Sequence, residues 1–244
     1  MMKWLVENKC PLNDSNILAA AAVEFGSIEQ MEWLLDNKCP IQNNSEIFEK
    51  AAEKGNVELM ELLLKKGCPT DRAMRGAVKH GCLTIMKWLK KKGCRIDDFQ
   101  IMILAAKHGS LRNMKWLLEN GCPIDDPIIF VPATGHGSLD IMKWLLDNGC
   151  PIDDPNIMRK ATKYGSLANM KWLLDNGCPV NDPLIFYEAL SHGSLRNLKW
   201  ILENQCPVDK TAKSTAKEIF GSFEKLLQLL KVSPSIVIYS EQPL

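Results

Sequence analysis

Apolar residues recur along most of the chain at the spacing of a helix with one buried face. Between Ser138 and Asn148 the apolar side chains share one side of a helix: Leu139, Met142, Leu145 and Leu146. Gly149 follows, and a glycine there suits the left-handed conformation that ends a helix. This pattern predicts an amphipathic helix packed on a core.

A shorter apolar segment precedes each such helix. One of these segments begins at Asp126-Pro127 and continues to Val131. An aspartate can cap the free amides of a helix, and proline suits its first position. The same start recurs at Asp154-Pro155 and Asp182-Pro183. The pattern therefore predicts pairs of helices, each with a short first helix and an amphipathic second helix.

These pairs repeat with a regular period. A glycine separates the two helices of each pair, at Gly26, Gly55, Gly81, Gly109, Gly137, Gly165, Gly193 and Gly221. A cysteine, usually followed by proline, ends each second helix except the last, and from Cys94 to Cys206 these cysteines are 28 residues apart. Because two short helices cannot bury their apolar faces alone, neighbouring pairs are expected to stack.

The repeat resembles the ankyrin repeat. The run from Gly109 through Trp116 to Cys122 is similar to the second half of an ankyrin repeat, and Ala105-Ala106 is similar to the paired alanines of its first helix. Cysteine and proline replace the usual alanine and aspartate, and the repeat is about five residues shorter than the family's period. The variant is similar to arrays common in large DNA viruses and protists.

The resemblance implies an all-α fold, an ankyrin-like solenoid of stacked helix–turn–helix repeats. The missing residues fall before the first helix, where the family has its projecting hairpin, so truncated hairpin fingers are expected. The chain is predicted to divide into a partial repeat over residues 1–10, the array over 11–234 and a tail over 235–244. Residues 207–234 are predicted to form a capping repeat, since Gln228 stands where other repeats have tryptophan. Ile236 to Tyr239 is strand-like, with no partner visible in the sequence.

Composition favours a protein of the cell interior. Apolar residues make up 46% of the chain, and the net charge is +1. There is neither a secretory signal pattern nor an apolar run long enough for a membrane span. We expect a monomer that is intracellular and cytoplasmic, or in the host cytoplasm if the protein is viral, with no membrane contact and with nucleic acid an improbable partner.

The cysteine ladder, defined as the cysteines that end the second helices, is predicted to be reduced and unreactive. Equivalent residues of stacked helices lie about 8–10 Å apart, too far for a disulfide or a shared zinc ion. Cys82 lies off the ladder and is the expected exception. No phosphate-binding glycine loop and no metallopeptidase or hydrolase motif is present, so we expect no enzyme activity, no cofactor and no metal.

A histidine or an aromatic residue precedes the central glycine in most repeats. Such a residue can stabilise the end of a helix, or it can anchor a partner, because this position faces the concave surface of ankyrin-like arrays. The first helices also vary at positions expected to be exposed. The predicted partner-binding residues are His108, Ile128, Val131, His136, Arg159, Tyr164, Leu184, Tyr187 and His192.

The predicted function is a protein–protein interaction scaffold or adaptor that binds a partner protein on the concave surface of the first helices. An alternative is an electrostatic binder of an acidic partner or nucleic acid, through the basic patch formed by Lys65, Lys66, Lys87, Lys90, Lys91, Lys92 and Arg95. The tryptophans are expected to pack between repeats, and the lysines before them to pair with the carboxylate four residues on. The short repeat Pro69 to Cys94 is predicted to exchange its helical amides fastest.

Overall fold

Helices account for nearly all of the regular structure. The computed structural model describes residues 27–37, 45–108, 110–135, 138–164, 166–192 and 194–240. Within these ranges the only β-structure is an isolated bridge. The chain divides into an N-terminal unit, Met1–Pro123, and a C-terminal unit, Ile124–Leu244.

The N-terminal unit contains seven described α-helices. They are α1 (Ile28–Asp36), α2 (Ser45–Lys54), α3 (Val57–Lys65), α4 (Ala73–His80), α5 (Leu83–Lys91), α6 (Phe99–Lys107) and α7 (Leu111–Glu119). The first helices of successive repeats, α2, α4 and α6, pack side by side. The second helices α3, α5 and α7 each pack on the first helix of their own repeat.

The C-terminal unit repeats the same arrangement. Its helices are α8 (Phe130–Gly135), α9 (Leu139–Asp147), α10 (Pro155–Tyr164), α11 (Leu167–Asp175), α12 (Pro183–Ser191), α13 (Leu195–Glu203), α14 (Lys210–Phe220) and α15 (Phe223–Leu230). A 3-10 turn, Pro127–Ile129, leads into α8. The first helices α8, α10, α12 and α14 pack in sequence, which confirms the predicted helix–turn–helix stacking within this unit.

Local hydrogen bonds fix where the helices begin and end. The backbone N–H of Leu184 donates to the Asp182 carboxylate at 2.9 Å, as the Asp-Pro start predicts. Gly149 has φ +82°, the left-handed conformation expected after α9. In the described connections before the first helices no hairpin strand forms, so the fingers are truncated as predicted.

The core follows the helical stripe of each second helix. Its fully buried side chains include Met114, Leu117, Met142, Leu145, Met170, Leu173, Leu198 and Ile201. Alanines of the first helices, such as Ala105 and Ala161, are equally buried and allow the helices to approach closely. The tryptophans before the buried leucines are half-buried.

The outer-face ion pairs are fewer than the sequence predicts. Of the four lysine–carboxylate pairs expected on the second helices, only Lys199 and Glu203 come within ion-pair distance, at 3.8 Å. Such exposed pairs stabilise a helix weakly, and they compete with full hydration of both side chains. The expectation of a salt-bridged outer face was therefore wrong for Lys115, Lys143 and Lys171.

α4 approaches α2 more closely than a side chain would permit. A Cβ added at Gly76 would lie 2.0 Å from the carbonyl oxygen of Glu49. Glu49 itself is only 3% exposed, and its carboxylate pairs with Arg72 and Lys79, each at 2.6 Å. The short repeat that contains α4 is thus attached to its neighbour by a charged cluster around a buried carboxylate.

The tail has a partner that the sequence did not reveal. Tyr239 forms a parallel β-bridge with Val208, in the segment that leads to α14. The Val208 N–H donates to the carbonyl of Ile238 at 2.8 Å, and its own carbonyl accepts from Ser240 N–H at 3.2 Å. Lys213 Nζ lies 3.6 Å from the centre of the Tyr239 ring. The tail therefore packs on the last repeat.

Candidate functional site

The predicted partner-binding residues of the C-terminal unit lie on neighbouring first helices. We call their surface the first-helix face, defined by Ile128, Val131, Arg159, Tyr164, Leu184, Tyr187 and His192. Ile128 precedes α8, which contributes Val131; Arg159 and Tyr164 lie on α10, Leu184 and Tyr187 lie on α12, and His192 follows it. Because α10 packs between α8 and α12, these residues belong to one continuous surface of the unit.

The apolar members of the face are accessible to a partner. Tyr164 is 59% exposed, Ile128 is 45% exposed and Tyr187 is 36% exposed. Val131 and Leu184 are half-buried. Ile129 and Ile185, which directly follow Ile128 and Leu184 in the sequence, are fully buried in the core. The first helices thus divide their apolar residues between a core side and an exposed side.

Charged side chains gather around Glu188 of α12. Its carboxylate lies 3.7 Å from Arg159 Nη2, 3.6 Å from Lys163 Nζ and 3.9 Å from His192 Nε2. Arg159 and His192 were among the predicted contact residues, whereas Glu188 and Lys163 were not. Both lie at repeat positions that were expected to be exposed, and this spacing from the central glycine could have identified them.

Tyr164 connects the charged and aromatic parts of the face. Its ring centre is 6.0 Å from the ring of His192. Lys160 and Lys163 place their ammonium groups 5.6 and 5.4 Å from the same ring, within the range of cation–π attraction. The residue before the central glycine therefore makes contacts with side chains of its own and the next first helix, as well as facing solvent.

Comparison with known proteins supports the repeat assignment. The sequence model of the family described as "Ankyrin repeats (3 copies)" matches residues 18–100 and 50–128. Residues 18–128 thus match ankyrin repeats. Among solved structures, the crystal structure of the human ASB11 ankyrin repeat domain is similar with a TM-score of 0.57. That match covers 77% of this chain and 98% of that chain at 19% identity, so it bears on the fold alone. Comparison with curated proteins gave no match.

The remaining predicted contact residues fall outside the first-helix face. His108 follows α6 in the N-terminal unit and is exposed. His136 lies outside the described residues. Within the described part of the C-terminal unit, His192 is the one histidine that precedes a central glycine. Its ring lies next to the ring of Tyr164.

The basic patch of the N-terminal unit is partly neutralised. Lys66 pairs with Asp36 at 3.2 Å and Arg95 with Asp97 at 2.9 Å. Lys90 donates to the side chain of Asn120, and Lys92 lies 5.4 Å from the ring centre of Trp88. Lys65, Lys87 and Lys91 remain exposed. These contacts reduce the charge available to an acidic ligand.

The described ladder cysteines are buried in the repeats. The thiols of Cys122 and Cys150 donate to the carbonyl oxygens of Asp98 and Asp126 at 3.6 Å, and Cys206 donates to Asp182 at 3.5 Å. Burial raises the pKa of Cys68 to about 11 and the pKa of Cys122, Cys150, Cys178 and Cys206 to about 12. In the described part of the chain, none of the seven cysteines forms a disulfide. Cys10 and Cys39 lie outside the described residues.

A shallow groove occurs on another side of the C-terminal unit. It has a volume of about 510 Å³ and is lined by residues that include Cys178, Val180, Asn204, Pro207 and Ile238. The tail supplies Ile238, so this groove could not be predicted without the bridge to Val208. Among the residues that the structure describes, no cluster of three potential metal ligands occurs, and no helix is long and apolar enough to cross a bilayer.

Proposed function

We propose that this protein is a scaffold or adaptor, not an enzyme, and that it binds a partner protein through the first-helix face. Ankyrin repeats are generally protein–protein interaction modules, and the chain carries them. The observation that carries the proposal is the set of exposed apolar side chains on the first-helix face, namely Ile128, Tyr164 and Tyr187. Exposed aromatic and aliphatic anchors are the residues that concentrate binding energy at interfaces.

The second helices support this choice by contrast. Their sequences are nearly the same from repeat to repeat, and most of their apolar residues are buried, with Val57, Leu195 and Leu229 as exposed exceptions. A surface that hardly varies among repeats has little capacity to specify a partner. In ankyrin-like stacking the first helices form the concave side, where their variable residues are available.

The described cysteines form no disulfide, which favours a reducing compartment for this function. Cysteines of secreted proteins are commonly paired, whereas thiols inside cells stay reduced. We therefore place the scaffold inside the cell.

A photo-crosslinking experiment tests the proposed surface. A photoreactive phenylalanine analogue replaces Tyr187 on the first-helix face or, as the matched control, Lys171 on the exposed side of α11. In extract of the source cell, the Tyr187 position should crosslink a discrete protein that the Lys171 position does not.

Variants then measure the contribution of each surface. We expect Val131→Asp with Tyr187→Ala to weaken binding of the crosslinked partner by ~2 kcal/mol or more. The triple change of Lys90, Lys91 and Lys92 to Glu tests the basic patch and should have little effect. Loss of binding in the triple variant, with binding retained in the first variant, would show that the partner uses the basic patch instead.

A further inference from the structure

The first-helix face carries more positive charge than its own carboxylate neutralises. α10 presents Arg159, Lys160 and Lys163, and all three side chains are partly exposed. Glu188 is the one carboxylate within 4.0 Å of any of these cationic groups in the described part of the chain. Three cationic side chains of α10 thus have one carboxylate among them.

The distances to Glu188 are too long for hydrogen bonds. They are 3.7 Å from Arg159 and 3.6 Å from Lys163. The Arg159 guanidinium donates to the side chain of Asn156 at 2.9 Å, and its buried Nε has no hydrogen-bond partner. Since a guanidinium has five N–H donors, most of its capacity to bind oxygen ligands is unused.

The same repeat positions are neutralised in the N-terminal unit. Arg75 and Lys79 of α4 precede their central glycine by the same number of residues as Arg159 and Lys163. There, Arg75 contacts Asp98 and Lys79 contacts Glu49, each at 2.6 Å. The incomplete pairing on α10 is therefore a property of that helix and is not a general feature of the position.

Apolar side chains flank the charged helix on both sides. Ile128 and Val131 lie on the α8 side, while Leu184 and Tyr187 lie on the α12 side. Tyr164, at the end of α10, is the most exposed of the aromatic residues on the face. The surface thus consists of a cationic row between two apolar rows.

We propose that the segment this surface binds is an acidic peptide chain with aliphatic or aromatic side chains on either side of its carboxylates. This inference rests on the proposed function and specifies the chemistry of the partner. Carboxylates of the peptide bind Arg159, Lys160 and Lys163, and its apolar side chains pack on Ile128 and Tyr187. Arginine suits this task because its planar guanidinium binds a carboxylate through two parallel hydrogen bonds.

A displayed library of short random peptides, selected on the purified full chain, is the probe. Selected sequences should be enriched in aspartate and glutamate next to apolar residues. Synthetic copies should lose about tenfold or more in affinity for the Arg159→Glu, Lys163→Glu variant, because each lost contact was a hydrogen bond to a charged group. The matched control, Lys143→Glu with Lys171→Glu on second helices, should change the affinity less than about twofold.

Two further measurements keep the outcomes distinct. Arg159→Gln with Lys163→Gln removes the charge without reversing it and should also weaken binding, and circular dichroism checks that every variant remains helical. Recovery of no acidic peptide, or equal affinity of the variants and the wild type, overturns the inference. So does a random single-stranded oligonucleotide that competes as well as the peptides, since phosphates would then be the preferred ligand.

The same variants distinguish failure of the acidic specificity from failure of the proposed function. If peptides lose binding with Val131→Asp and Tyr187→Ala but not with the charge changes, the acidic specificity is wrong and the binding surface stands. If both sets of first-helix variants bind normally and the Lys143, Lys171 control does not, both proposals fail.

Discussion

Gln205 ends α13 at the place where a glycine ends the equivalent helices. Its φ is +62°, in the left-handed region that a residue with a Cβ adopts at a cost. Gly177, which occupies the same place after α11, has φ +89°. The chain adopts the same left-handed turn before Cys206, although Gln205 is less suited to that conformation than glycine.

Gln205→Gly should therefore stabilise the protein by about 1 kcal/mol, because glycine removes the left-handed strain. Urea unfolding monitored by circular dichroism measures the change. The reverse substitution, Gly177→Gln, is the matched control and should destabilise by a similar amount. A loss of stability in Gln205→Gly would mean that the glutamine side chain makes a stabilising contact of its own.

Buried asparagines are a second feature at the residue scale. Asn113 and Asn169 are at most 4% exposed, and in each the side-chain Nδ2 is buried without a hydrogen-bond partner. Ile141 occupies the equivalent position of α9 and is buried as well. The same site in the repeat therefore accepts a larger, apolar residue.

Asn169→Ile should raise the free energy of unfolding by roughly 1–2 kcal/mol, since a buried unsatisfied amide is replaced by apolar surface. Thermal unfolding measures the Tm of this variant and of the reverse change, Ile141→Asn, which should have the opposite effect. An unchanged or lower Tm for Asn169→Ile would show that the amide is satisfied in solution.

At the scale of elements, the packing of α4 on α2 depends on one glycine. Gly76→Ala would place a methyl group 2.0 Å from a backbone oxygen, so the two helices must separate. We expect destabilisation by about 2 kcal/mol or more, in the range of overpacked cores, together with exposure of Glu49. Lys160→Ala, at the same repeat position of α10, is the control and should be nearly neutral.

Hydrogen exchange tests the related prediction that Pro69 to Cys94 is the weakest repeat. The Arg72 side chain makes no capping hydrogen bond to α4, which agrees with fast opening, whereas the Glu49 cluster opposes it. Slow exchange throughout α4 and α5 would show that the buried cluster outweighs the missing cap.

Most of the fold could be predicted because the same capping and turn residues recur in successive repeats. Asp182 caps α12 and Gly149 ends α9 as their sequence positions predict. The features that escaped prediction depend on side chains from different repeats. The Glu49 cluster requires the close approach at Gly76, and the Val208 bridge requires the tail to fold back on the last repeat.

The candidate site could be predicted in part. Periodicity identified which first-helix residues vary and face away from the core, and Ile128, Tyr164 and Tyr187 are exposed. It could not show that Arg159 and Lys163 share Glu188, because that depends on distances between α10 and α12. The capping role of residues 207–234 stays a prediction. Leu229 is 55% exposed, whereas Ile201 at the same repeat position is fully buried.

At the scale of the whole molecule, the ladder thiols couple stability to alkaline pH. Their pKa is raised by burial from an ordinary 9.0 to about 12 at Cys122, Cys150, Cys178 and Cys206. The folded protein therefore favours the protonated thiol. This contribution is complete below about pH 9 and is lost as the pH rises from about 9 through about 12.

A variant with alanine at these four cysteines should lose less stability between about pH 8 and about pH 11 than the wild type. Urea unfolding of both proteins at the two values gives the difference, and lysine titration cancels because it is common to both. Equal losses would indicate that the thiols are accessible to hydroxide in the folded state.

The hydrogen bond between a ladder thiol and an aspartate carbonyl has a consequence for how such a gene can change. Donor and acceptor are 24 residues apart, as between Cys150 and Asp126, and this is less than the 28-residue spacing of the cysteines. Both partners are therefore encoded within one copy of the repeated DNA. Recombination that duplicates or deletes a whole copy moves them together, so the gene can gain or lose repeats without separating any thiol from its carbonyl.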